Sequence, residues 1–161
     1  MIKVLGPAVA VALMGAGTAS TAAVTQRRAS NSISAPEASA MTAFVAAWSQ
    51  SNAEALSLLF ERDGKLIIPT GVEIGGRDTI RDFYAVVFRS GYRGSVSRAN
   101  VVRVTRISDS LSLVEGTWNI RGAKRPNGSA RPPEAGRFSA VVREGSNGYR
   151  LVALSETPLA Q

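Results

Sequence analysis

Apolar residues recur along this chain with two different periods. Between Glu37 and Gln50, the residues Met41, Phe44, Val45 and Trp48 fall at i, i+3, i+4 and i+7, the spacing of one helix face. A second helix is predicted from Asn52, a suitable N-cap, through Ala55, Leu56, Leu58, Leu59 and Phe60, with Asp63-Gly64 ending it. Lys65 to Pro69 reads as a short strand, and Thr70 to Gly76 as a turn-rich connection. Arg77 to Arg89 is a third helix, with Ile80, Phe83, Tyr84 and Val87 along its apolar stripe.

Beyond Gly91 the period shortens to two. Val96 to Ile107 and Leu111 to Arg121 are rich in β-branched residues and are joined by Ser108-Asp109-Ser110, a hairpin signal. Phe138, Ala140 and Val142 alternate with Arg137, Ser139, Val141 and Arg143. After the turn Gly145 to Gly148, Tyr149, Leu151 and Ala153 alternate with Arg150, Val152 and Leu154. Between the two hairpins lies Lys124 to Gly136, an irregular stretch holding three prolines, Pro126, Pro132 and Pro133, which would suit a lid. Three helices followed by a four-strand meander, with one short strand before it, predict an α+β layer: helices on one face of a bent antiparallel sheet.

The first residues carry a different pattern. Met1-Ile2-Lys3 is a short positive start, and Val4 to Met14 is an apolar run too short to span a bilayer. Small residues then lead to Thr21-Ala22-Ala23, which fits a signal-peptidase site. The expected organisation is therefore a signal peptide over 1–23, a flexible Ser/Ala/Thr-rich tether over 24–36, and one domain over 37–161. This pattern implies export to the periplasm or outside the cell, and the lack of cysteine leaves no site for a lipid on an N-terminal Cys and so no stable membrane anchor. A buried first helix is the competing reading of the apolar run.

Composition removes whole chemistries. The 161 residues include no Cys and no His, so disulfides, thiol nucleophiles, imidazole bases and zinc fingers are excluded for this chain alone. No Gly-x-Gly-x-x-Gly fingerprint follows a strand, and a metal held only by carboxylates has no support in the spacing, so no cofactor and no metal are expected. The net charge of +7 comes mostly from arginines scattered without a dense run. Only Lys124, Arg125 and Arg131 cluster, with few aromatics among them, which argues against a nucleic-acid partner.

The order of motifs resembles the nuclear-transport-factor-2-like superfamily, in particular its SnoaL-like and SgcJ/EcaC-type small domains. The resemblance runs from about Ala40 to Pro158. It rests on Phe44-Val45-Ala46-Ala47-Trp48, on Asn52-Ala53-Glu54-Ala55-Leu56, and on Leu59-Phe60 with Asp63 before the first strand. Gly76-Arg77-Asp78-Thr79-Ile80 and Gly148-Tyr149-Arg150-Leu151-Val152 complete it. It implies a cystatin-like cone: a curved sheet around the first helix, with an apolar pocket at the open end, in a domain that commonly pairs into homodimers through the outer sheet face. Arg137, Val141 and Arg143 share one strand face that would suit such a contact, or would simply be solvated. Gly116 and the irregular run Val101, Val102, Val104 are candidates for the bulges that bending needs.

Tested residue by residue, the ketosteroid isomerase pattern is empty in this chain. The position resembling its tyrosine donor is Phe44, the position of its base is Ile68 just before Pro69, and no carboxylate occurs over Gly136 to Phe138. Scytalone-dehydratase-like chemistry needs histidine. The candidate catalytic carboxylates that remain are Glu115 and Asp63. Glu115 needs a bulge near Gly116 to turn inward, and Asp63 serves equally as a turn cap. Phe44, Trp48, Ile68, Tyr84, Trp118, Phe138 and Ser155 are the expected pocket residues. Ser155 and Glu156 both end the last strand, where an ordinary strand end explains them as well. Three functions stay open: binding of a small apolar or amphipathic ligand in the cone, a cofactor-independent isomerase or hydrolase using a pocket carboxylate, and a structural dimer with a filled cone.

Overall fold

The computed structural model describes residues 35–159. The expected leader over 1–23 and nearly all of the 24–36 tether lie outside them. Pro36–Ala38 makes one 3-10 turn that runs into helix α1, Ser39–Ser49. Of its expected stripe, Met41, Phe44 and Trp48 are buried and Val45 is half-buried, with Ala47 buried beside them. Helix α2, Ala53–Leu58, begins on Asn52, whose Oδ1 accepts the Ala55 N–H at 2.9 Å.

Helix α2 stops short of the expected end for a tertiary reason. The Arg150 guanidinium donates to the Leu58 carbonyl at 2.7 Å, and the Leu151 N–H donates to the Leu59 carbonyl at 2.8 Å. The last strand thus takes the carbonyls at the helix end, and the chain passes directly into strand β1, Phe60–Ile67. Asp63-Gly64 therefore closes no helix. It lies inside β1, where the register shifts between Phe60 and Lys65. The stretch read as a connection supplies a further strand, β2, Glu73–Gly75, antiparallel to β1. Helix α3, Arg77–Val87, continues through a π turn, Phe88–Tyr92.

The four remaining strands, β3 (Val96–Arg106), β4 (Leu111–Arg121), β5 (Glu134–Gly145) and β6 (Gly148–Pro158), form the expected meander. The sheet order is β2-β1-β6-β5-β4-β3, with β1 parallel to β6 and every other pair antiparallel. The result is an α+β domain with a curved, unclosed six-stranded sheet and three α-helices among the described residues.

Two bulges interrupt the antiparallel ladders. Val102 is the extra residue of β3, since Val101 faces Gly116 while Arg103 faces Glu115. Val152 is the extra residue of β6, since Ala153 faces Val141 while Leu151 faces Val142. Such insertions bend a strand and increase its twist. On the inner face, Phe138 pairs with Gly116 and Trp118 with Gly136. Each ring lies over the opposing glycine: a Cβ on Gly116 would sit 2.7 Å from the Phe138 ring, and one on Gly136 2.5 Å from Trp118.

The core runs between the inner sheet face and the helices. Leu56, Phe60, Leu66, Ile80, Val114, Leu151 and Leu154 are fully buried in it. At about 1.5–3 kcal/mol per large buried side chain, this packing outweighs the ion pairs of the outer face, which are worth roughly 0–1 kcal/mol where exposed.

Candidate functional site

A cavity of about 130 Å³ opens between the end of the sheet and the helices. Helix α1 contributes Trp48, the residues just after β1 contribute Ile68 and Pro69, and α3 contributes Phe83, Tyr84 and Val87. Tyr92 comes from the π turn, Trp118 and Ile120 from β4, Glu134 from the start of β5 and Glu156 from the end of β6. Trp48 packs edge-on against Tyr84, Phe88 and Tyr92, with ring centroids 5.3–6.1 Å apart, which holds these rings in fixed orientations.

Most polar groups of this wall are already satisfied. The Trp48 indole N–H donates to Ser95 Oγ at 3.0 Å, and the Trp118 N–H donates to the Arg137 carbonyl at 3.1 Å. The Tyr92 hydroxyl donates to Glu134 Oε1 at 2.7 Å. Arg131 reaches the same oxygen at 3.3 Å and stacks on the Tyr92 ring at 4.9 Å from its centroid. Burial, then the bond to Glu134, pushes Tyr92 up to about 12, so it stays a donor.

Two groups are left over. Tyr84 is 2% exposed, and its hydroxyl has no hydrogen-bond partner among the described residues. Burial, and secondarily the Glu156 charge, holds its pKa well above the usual phenol value. Glu156 makes no hydrogen bond or ion pair among the described residues, and desolvation alone raises it from its ordinary 4.5 to about 7. The residue keeps some exposure as a whole, but its carboxylate loses enough water to titrate near neutrality.

Of the expected pocket residues, the structure brings Trp48, Ile68, Tyr84 and Trp118 together around the cavity. Phe44 and Phe138 lie in the core instead, each nearly fully buried. They fill the closed part of the cone, and the cavity is what stays open. Ser155 points outward. Continuing the alternation of Tyr149, Leu151 and Ala153 would bring Ser155 inward, but the extra Val152 advances the phase by one residue. Leu154 and Glu156 then share the inner face, opposite Ala140 and Phe138. No feature of the sequence marks that bulge, so regular alternation predicts Ser155 inward where the structure has Glu156. Phe83 was legible in the stripe of α3, whereas Tyr92 and Glu134 meet only through the fold.

Neither expected catalytic carboxylate reaches the cavity. The bulge near Gly116 is in β3, so β4 keeps strict alternation: Val114, Gly116 and Trp118 face inward and Glu115 outward. There Arg103 grips Glu115 at 2.6–2.7 Å, and that hydrogen bond holds its carboxyl below the usual range. Asp63 is exposed on β1.

A wider groove of about 710 Å³ crosses the outward face near Arg103, Glu115, Thr117, Arg137 and Thr157. Size alone does not make it the better candidate. Its carboxylate is already paired, while the inner cavity holds two polar groups with nothing to meet. Among the described residues, no cluster of three or more Asp or Glu is disposed to hold a metal, and no helix is long and apolar enough to cross a membrane.

No protein-family model and no curated protein matches the chain. Solved structures do. A protein with a cystatin-like fold from Caulobacter vibrioides is 18% identical at a TM-score of 0.66, covering 76% of this chain and 87% of its own. A ketosteroid isomerase-like protein from Erwinia carotovora atroseptica is 17% identical at 0.66, with 81% and 99% covered. A nuclear-transport-factor-2-like superfamily protein from Salmonella enterica is 16% identical at 0.63, with 76% and 88% covered. What these chains share with this one, at such identities, is the fold.

Proposed function

Because this chain has the nuclear-transport-factor-2-like, cystatin-like fold, we propose that its domain binds a small amphipathic molecule of about one ring in the cavity at the open end. The observation that carries this reading is the buried Tyr84 hydroxyl, without a partner among the described residues, beside a Glu156 carboxylate equally unpaired among them. A buried hydroxyl left unsatisfied costs about 1–3 kcal/mol, which a ligand's polar atom would recover. Size sets the scale: a cavity of about 150 Å³ lined by apolar side chains holds benzene, and this one is about 130 Å³. Trp48 and Trp118 would report occupancy directly. Titration with one-ring alcohols, ketones and amines should quench their fluorescence, and Tyr84→Phe should weaken the tightest of them about tenfold. A flat titration across the series overturns the reading.

A second reading is favoured by one observation, the carboxylate of Glu156 poised near pH 7. In it the domain is a cofactor-independent isomerase. Glu156 would take a proton from the carbon beside a ligand carbonyl, Tyr84 would donate a hydrogen bond to the resulting enolate oxygen, and Glu156 would return the proton to another carbon. Deuterium exchange into a bound cyclic ketone, followed by proton NMR, should stop in Glu156→Gln; an unchanged exchange rate removes this reading.

We also propose that the mature protein begins near Val24 after export, which N-terminal sequencing of material from its own host would check. Pairing of two copies through the face of Arg137 and Val141 belongs to the same reading. Arg143 is less free for it, because it pairs with Glu61 at 2.8 Å.

A further inference from the structure

We infer that the ligand of this cavity is a small organic cation, a protonated amine, held by an aromatic cage and neutralised by Glu156. This rests on the binding reading above and narrows its ligand class.

Charge placement points this way. The chain carries a net charge of +7, yet the cavity lining holds two carboxylates, Glu134 and Glu156, and no lysine or arginine. Arg131 contacts the wall from outside the lining and is engaged by Glu134 and by the Tyr92 ring. Its guanidinium balances Glu134, and nothing comparable balances Glu156. A buried carboxylate without a counter-ion is costly, and an ammonium group entering the cavity supplies the missing partner.

The surrounding surface suits a cation better than a neutral molecule. Trp48, Phe83, Tyr84, Tyr92 and Trp118 all line the cavity. Both indole N–H groups point into protein hydrogen bonds. What the tryptophans offer a ligand is therefore ring surface and not a donor. The negative faces of aromatic rings attract ammonium groups, and the attraction grows when water is excluded. The Tyr84 hydroxyl, unable to find a partner in the protein, can accept a hydrogen bond from an ammonium N–H. A phosphate or carboxylate ligand would face two acids and no base.

The titratable groups around the cavity are Glu156, Glu134, Tyr84 and Tyr92, with Arg131 behind Tyr92. Desolvation raises Glu156 to about 7, so its charge changes near neutrality. Amine affinity should therefore rise with pH as Glu156 ionises, by up to about tenfold from pH 6 to pH 8.

The test uses two probes of equal size, cyclopentylammonium and cyclopentanol, titrated by tryptophan fluorescence and calorimetry against the dialysed protein. The ammonium ion should bind at least tenfold more tightly than the alcohol at pH 8. Glu156→Gln should remove that preference, bringing the ammonium affinity at pH 8 down at least tenfold. Should the variant fold poorly, the pH dependence of ammonium binding to the unaltered protein decides instead. Alcohol binding with no ammonium preference, or an ammonium affinity flat from pH 6 to 8, overturns the cation inference and leaves the pocket reading standing. Binding of neither probe overturns both.

Discussion

Replacing Glu156 by glutamine should make the protein more stable, and only above about pH 5. The carboxyl titrates near 4.5 in an unfolded chain and at about 7 in the folded domain. Between those values the folded state holds a proton that the unfolded state has released, so folding stability falls as pH rises through this window. At ~1.36 kcal/mol per pH unit, the penalty is complete above pH 7 and reaches at most about 3 kcal/mol. Glutamine matches the shape and stays neutral at every pH, so it avoids the penalty. Melting curves by circular dichroism, run on dialysed protein at pH 4 and pH 8.5, read the difference. At pH 4 the two proteins should melt within roughly 2 °C of each other. At pH 8.5 the variant should gain up to about 10 °C, on the usual scaling of melting temperature with stability for a domain of this size. A variant that is less stable at pH 8.5, or whose advantage is the same at both pH values, would refute the claim that Glu156 is an unpaired, desolvated acid.

Other perturbations follow from the same geometry. Tyr84→Phe removes a buried hydroxyl that has no partner among the described residues, so the unliganded protein should be unchanged or up to about 1 kcal/mol more stable in urea titration; a loss of about 2 kcal/mol would refute that. Gly136→Ala would drive a Cβ into the Trp118 ring and should cost about 1–3 kcal/mol by the same assay, with Trp118 emission shifted. Glu115→Gln breaks the outward pair with Arg103 and should leave ligand affinity unaltered; weakened binding would bring Glu115 back as a site residue.

The helices and the meander were legible because each buries one face, and burial of one face imposes a period. The stripe Ile80, Phe83, Tyr84 and Val87 therefore holds three residues that line the cavity, Phe83, Tyr84 and Val87, and Trp48 follows from α1 in the same way. The end of α2 was not legible, because the groups that stop it, Arg150 and Leu151, lie some ninety residues further along the chain. The strand β2 was hidden for a related reason. With three residues and no fully buried position, it has too little pattern to announce itself, and it exists because β1 offers an edge.

Local patterning alone determined the class of the domain, the faces of its helices and most of the aromatic wall, since these depend on which residues leave water. Which acid faces the cavity was decided only in three dimensions. One inserted residue, Val152, shifts the phase of β6 and exchanges Ser155 for Glu156 on the inner face. The absence of a bulge in β4 keeps Glu115 outside by the same rule. A strand's side chains alternate without memory of chemistry, so a single unpaired residue, set by the bending of the sheet, chooses between a serine and a carboxylate.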